Sequence, residues 1–239
     1  MLMLKHNQNQ DSADAEHWIS LSDLMTALMM LFLLISVVYM IKVQDSVDIP
    51  RIFKADQQQM HAQMHEQFKD KLNKWGAVLN PDLTVRFNHQ DIQFATGSQQ
   101  LRPEFQRALD EFFPQYLHIL MQEEYRDKIK EIRIEGHTSS LWVEGMSEDE
   151  AYIKNMNLSQ GRAQETLIYL LTHPSLNLEE RQWLKQKFRA IGFSSSQLLN
   201  SKGLDLQVNE QEDTKQSQRV EFRVVTNTED KIREMVGDK

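Results

Sequence analysis

Hydrophobic and polar residues follow two regimes along this chain. From Leu24 to Ile41 the run LMTALMMLFLLISVVYMI carries no charge across 18 residues, and extending it back to Ile19 adds one carboxylate, Asp23. As a helix the run is roughly 27 Å long, close to the ~30 Å hydrocarbon core of a bilayer. A core helix of a soluble domain needs no such length, and this run stands alone at one end of the chain. A cleaved leader does not fit its flanks. Residues 1–17 set Lys5 against Asp11, Asp14 and Glu16, so there is no basic leading segment, and no small-x-small cleavage site accompanies the run. The pattern predicts a retained membrane helix over residues 18–41, after a polar tail at 1–17.

Residues 42–76 are polar and helix-prone, and KADQQQMHAQMHEQFKDKLNKW reads as a helix or tether. Pro50 predicts a bend or an extended link behind the membrane helix. His61 and His65 have the i,i+4 spacing of a zinc pair, but only Glu66 stands by as a third ligand, and a solvated helix face is the expectation. From Ala77 the period changes repeatedly. LTVRF at 83–87 and the stretch ending at Phe94 read as strands, and PEFQRALDEFFPQYLHIL as a helix interrupted or restarted at Pro114. IKEIRIEGH alternates as a strand with one slip. LSQGRAQETLIYLL places Leu158, Ala163, Leu167, Leu170 and Leu171 on one helix face. EERQWLKQKF, FRAIGFS and RVEFRVVT continue the alternation, while residues 195–218 are polar and read as a flexible loop. Helices between strands imply an α/β domain over 77–228, a mixed sheet with helices packed on it, followed by a tail at 229–239.

Composition narrows the chemistry. The 239 residues include no cysteine, which excludes disulfides, a thiolate nucleophile and a thiolate zinc cluster. Eight glycines and no Gly-rich phosphate loop speak against a nucleotide site. A net charge of −8 has the wrong sign for nucleic-acid binding. No nucleophile, base and orienting group occur together, so an enzyme is not expected. The mean hydropathy of −0.56 is that of a soluble acidic protein and hides the apolar span.

Asp23 is the most informative single position. A carboxylate at the centre of a membrane helix costs about 2.5–3.5 kcal/mol and generally faces protein or a water path. At a helix start it can instead cap backbone N–H groups from the headgroup region. Trp18, an interfacial ring five residues earlier, favours a boundary near residue 18 with Asp23 inside. Thr26 and Met30 continue its helix face, so a carboxylate and a hydroxyl share one side, as in a protonatable relay.

The string from Trp18 through Asp23, Met25, Thr26, Ala27 and Met29 resembles the membrane helix of B subunits of ion-driven rotary motors, the MotB-type stators and their relatives. The resemblance implies that Asp23, with Thr26 beside it, carries the transported ion, and that the N-terminus is cytoplasmic. The charge bias across the span, Lys5 before it and Lys42, Arg51 and Lys54 after it, leans the other way. Four further motifs over residues 80–228 resemble the OmpA-like peptidoglycan-binding domain: Phe94 to Ser98 with Leu101; Ile134 to Thr138; Asn155 to Ala163; and Arg219 to Glu221. That likeness implies wall-contact roles for Thr138, Ser139, Asn155, Leu158 and Arg162, the arginine as a bidentate donor to stem-peptide carboxylates. Members of the family commonly carry Asp after the His-Thr pair, where it meets the ammonium of diaminopimelate. Here Ser139 stands there, and Glu144, Glu148, Asp149 and Glu150 in the acidic loop beyond are the candidates to replace it.

Joined in this order, the two likenesses imply a single-pass inner-membrane protein with a periplasmic wall domain, and among motor B subunits the short tether is most similar to that of the Zorya anti-phage defence system. Such a subunit implies a dimer inside five multi-span A subunits, peptidoglycan and membrane lipids as further partners, no nucleic acid and no cofactor. The transported ion is H+ in this reading, with Na+ left open by the residues. A flagellar-type stator subunit and a non-motor envelope anchor are the alternatives; the latter has no use for Asp23. A TolR- or ExbD-like transducer shares the carboxylate-bearing span but not the Asn155–Ala163 pattern.

Overall fold

The computed structural model describes the backbone of residues 4–88, 90–142 and 145–227, and the side chains of 21–43, 55–88, 91–142 and 145–227. The side chains of Lys5, Trp18, Arg51 and Lys54, residue Glu144 and the 229–239 tail lie outside these. The chain divides into two compact units between Ile52 and Phe53, and helix α1 (Leu4–Phe68) contributes to both. Pro50 lies within α1, where the sequence predicts a bend or an extended link; the backbone on both sides of it is helical. Proline's fixed φ is compatible with a helix, and the loss is one backbone hydrogen bond and local crowding.

In the first unit, Leu21–Val43 is long and apolar enough to cross a membrane. Every side chain in it is exposed, Leu24, Met29, Phe32 and Tyr39 among them. Asp23 and Lys42 are its only charged groups.

The second unit is a five-stranded mixed sheet with helices on one face. After α1 come α2 (Leu72–Trp75), β1 (Ala77–Leu79), β2 (Thr84–Phe87), α3 (Gln90–Gln93), α4 (Pro103–Leu120) and α5 (Glu123–Arg126). β3 (Ile129–His137), α6 (Glu148–Leu171), α7 (Leu178–Lys187), β4 (Phe188–Gly192), α8 (Thr214–Ser217) and β5 (Arg219–Thr226) complete the order. The strands lie β1-β2-β5-β3-β4, with β3 and β4 parallel and the other pairs antiparallel. The slip read in IKEIRIEGH is a register shift between Ile129 and Glu131. Alternate residues Val85, Phe87, Ile132, Ile134, Val220, Phe222 and Val224 face the core, as a half-buried sheet requires. Phe105, Leu109, Phe112, Phe113 and Tyr116 of α4 cover them, and Phe112 stacks on Tyr116 and meets Phe87 and Phe222 edge-on. α4 runs through Pro114 without the interruption the sequence predicts.

Three further expectations need correction. The stretch before Phe94 is the short helix α3, not a strand, and Phe94 makes a single bridge to Leu101. Residues 42–76 read as a tether, yet Met60, Met64, Phe68 and Trp75 belong to the core. Their i,i+4 spacing gives the end of α1 an apolar stripe that buries against the domain, with Phe68 meeting Trp75 and Phe112. The polar segment 195–218 is ordered: Leu199 is fully buried, bridges to Asp205, and donates its N–H to the Ser217 hydroxyl oxygen at 3.0 Å. Asp213 caps α8, accepting from Lys215 and Gln216.

Candidate functional site

The end of β3 and the N-terminal half of α6 build one pocket. α6 starts at a capping box, Ser147 accepting from the Glu150 N–H while the Glu150 carboxylate accepts from the Ser147 N–H. Asn155, Leu158, Ser159 and Arg162 follow at helical spacings of three, four and seven and share the buried face. The helix comes close because two paired strand positions are glycine, Gly136 next to last in β3 opposite Gly192 at the end of β4. A Cβ on Gly136 would stand 2.2 Å from the Ser159 carbonyl oxygen, and one on Gly192 2.5 Å from the Gln160 nitrogen. Gln160 ties the same place polar-wise, donating to Ala190 O and accepting from Gly192 N–H.

All five wall-contact residues predicted from sequence, Thr138, Ser139, Asn155, Leu158 and Arg162, line this one pocket of about 360 Å³. Thr96 and Gly97, Leu141 and Trp142, and Gln218 complete it. Sequence reading missed Trp142 and Gln218, which come from the long loop after β3 and from the segment before β5; no periodicity marks either one.

Arg162 is the electrostatic centre. It is 2% exposed, its Nε donates to Ser98 O at 3.0 Å, and its guanidinium lies 4.9 Å over the Phe94 ring. No carboxylate pairs with it among the described residues. Burial without a counter-charge pulls its pKa down to about 10, which leaves it charged at neutral pH. Asn155 spends one amide N–H on Ser139 O at 3.2 Å, and Gln218 donates to the Ser139 hydroxyl at 3.1 Å. The Thr138 hydroxyl, buried in the same pocket, has no partner. Such a set, one unpaired cation, one unspent hydroxyl, amides and apolar walls, suits a carboxylate on an aliphatic stem.

Of the acidic candidates for the Ser139 position, the three described ones do not line this pocket. Glu148 and Asp149 line a neighbouring hollow, and Glu150 is in the capping box. Glu212 instead is tied to the loop, accepting from the Ser140 N–H at 3.2 Å and from the Ser140 hydroxyl.

His137 is not a pocket residue. It lies fully buried on the other face of the sheet, stacked on Phe193, with Nε2 3.9 Å from Glu135 and 4.0 Å from Glu221. These three could in geometry gather a metal ion. The surroundings oppose it: Glu221 accepts from Arg86 at 2.7 Å and Arg219 at 2.6 Å, Glu135 from Arg223 at 3.2 Å, so a dication would enter beside three guanidinium groups. The His61–His65 pair stacks ring on ring, and Glu66 pairs with Lys69 at 2.6 Å, so it offers no third ligand. In the other unit, Asp23 and Thr26 lie one turn apart and exposed; the Thr26 hydroxyl donates to Ser22 O at 2.8 Å, and Asp23 has no described partner.

Set beside known proteins, the chain is 39% identical over 231 residues to the Zorya protein ZorB of Escherichia coli strain Crooks, covering 94% of each. The chain belongs to the Zorya ZorB family. A second ZorB, from Escherichia coli O139:H28, is 28% identical over 207 residues, 82% of this chain and 79% of that one. No protein-family model matches. The fold is that of a crystal structure of a MotB-like protein from Desulfovibrio vulgaris, at 20% identity and a TM-score of 0.50, covering 74% of this chain and 98% of that one. Membership in the ZorB family thus extends across nearly the whole chain, from apolar helix to sheet domain.

Proposed function

We propose that this ZorB-family chain is the wall-anchored B subunit of a proton-driven inner-membrane motor in Zorya anti-phage defence. The observation that carries the reading is the joining, in one chain of that family, of a single apolar helix bearing Asp23 to a pocket with an unpaired, buried Arg162. The N-terminus is cytoplasmic and the sheet domain periplasmic, two copies standing within five multi-span A subunits. Asp23 is charged when it opens to a periplasmic half-path and takes up a proton there. Neutralised, it passes the apolar wall of an A subunit and releases the proton toward the cytoplasm. Keeping it charged in lipid would cost about 2.5–3.5 kcal/mol, which favours the neutral form for that passage. Each proton brings about 2.3 kcal/mol per 100 mV of membrane potential. Thr26 lies on the same helix face, and with its proton engaged by Ser22 O its oxygen can accept from the protonated carboxyl. Arg162, Thr138, Ser139, Asn155 and Leu158 hold stem peptides of peptidoglycan, so that A subunits turn against a fixed B dimer.

The test is Asp23→Asn, expressed with its A subunit. Assembly and membrane insertion should persist while proton flux and phage protection are abolished. Normal flux or protection in that variant would sink the motor reading and leave a plain envelope anchor.

A further inference from the structure

The charge inventory of the pocket carries a statement about its ligand. Arg162 brings one buried positive charge, and none of the described residues lining the pocket is Asp or Glu. Ser139 presents its hydroxyl to Gln218, a neutral pair. The carboxylate tied to the same loop, Glu212, is engaged with the N–H and hydroxyl of Ser140. Leu141, Trp142 and Leu158 make the remaining wall apolar. An amine entering such a pocket as ammonium would leave water for a site whose one charge among the described residues is of the same sign, and no described lining residue is an acceptor of formal charge to offset its desolvation.

Resting on the wall-binding reading above, we infer that the pocket recognises a carboxylate-bearing aliphatic peptide end and makes no demand for a free ammonium group, Ser139 and Gln218 being the residues that remove that demand. Forming a peptide cross-link converts the side-chain amine of a stem peptide's diamino acid into an amide and leaves that residue's distal carboxylate in place. The pocket therefore accepts cross-linked stems as well as free ones. The unspent Thr138 hydroxyl and the outer nitrogens of Arg162 can take the two carboxylate oxygens together.

The experiment is calorimetric titration of the full chain in detergent with three synthetic stem peptides ending in diaminopimelate. One has the side-chain amine free, one has it acetylated, and one has the free amine with the distal carboxylate converted to amide. Free and acetylated peptides should bind within about threefold of each other, and the amide should bind at least about tenfold more weakly, the loss of a charge-assisted pair. Ser139→Asp should bring in a preference of about tenfold for the free amine over the acetylated form. Loss of binding by about tenfold or more on acetylation in the unsubstituted chain overturns the inference and leaves wall binding standing. Failure of all three peptides to bind, together with failure to sediment with purified sacculi, overturns both.

Discussion

In the proposed reading, Arg162 is a single residue poor for stability and good for binding. A buried guanidinium with one carbonyl acceptor and a ring beneath it pays a desolvation cost that no carboxylate among the described residues offsets. Arg162→Met fills similar volume with an apolar side chain. The melting temperature should stay level or rise, while co-sedimentation with sacculi falls at least about tenfold, the equivalent of a lost charged hydrogen bond. A fall in both together would mean that Arg162 is structural. The likeness to the OmpA-like domain singled out Arg162, Asn155 and Leu158, and their helical spacing puts them on one face of α6. It could not show that Arg162 is unpaired, since that depends on where carboxylates distant in sequence end up, Glu212 on Ser140 and Glu221 under Arg86 and Arg219.

At the scale of elements, the sheet and helices were legible where periodicity is strong, in β3, α4, α6, α7 and β5. Met60, Met64 and Phe68 were not read as core because their stripe is flanked by glutamines that bond across to other elements, Gln63 to Gln122 and Gln67 to Gln115, both at 3.0 Å. Residues 195–218 misled for a related reason: their order comes from backbone and side-chain hydrogen bonds laid over the charged face of the sheet, which leave no hydrophobic period. The seating of α6 is the tightest joint. Gly136→Ala should force helix and strand apart at Ser159, lowering stability by about 1–3 kcal/mol or more and weakening sacculus binding with it. Chemical denaturation of the two forms checks this. The charged face sets the response to acid. Burial and the nearby Arg219 hold His137 down to about 3 from an ordinary 6.5. For Glu221 burial would raise the carboxyl, but the guanidinium groups of Arg219 and Arg86 outweigh it and hold it at about 2, below an ordinary 4.5. In both cases the unfolded chain binds protons first. Stability is full above about pH 6.5 and is lost as pH falls, His137 contributing between 6.5 and 3 and Glu221 between 4.5 and 2. Melting temperatures from pH 7 to 4 should therefore decline, and the His137→Gln variant should decline less steeply between pH 6.5 and 4.5, where Glu221 contributes little.

At the scale of the whole molecule, the two proposed chemistries fall in separate units, and their variants should separate too. Asp23 has no described partner in the chain, and Leu21–Val43 contributes nothing to the core of the sheet domain. Asp23→Asn should therefore leave sacculus binding and the melting of the sheet domain unchanged. Arg162→Met should still co-purify with A subunits and leave Asp23 able to exchange protons. A motor whose B subunit is not held turns B together with A, so protection should fail in this variant for want of a fixed frame rather than for want of ions. The combination of variants then decides between a motor and an anchor. If the wall grip matters because it resists torque, Asp23→Asn and Arg162→Met each abolish protection and the double variant is no worse than either. An anchor that merely holds a complex in place predicts something else: Arg162→Met alone impairs protection, and Asp23→Asn is silent in both backgrounds. Phage-plating efficiency for the four strains, read beside sacculus co-sedimentation, distinguishes the two.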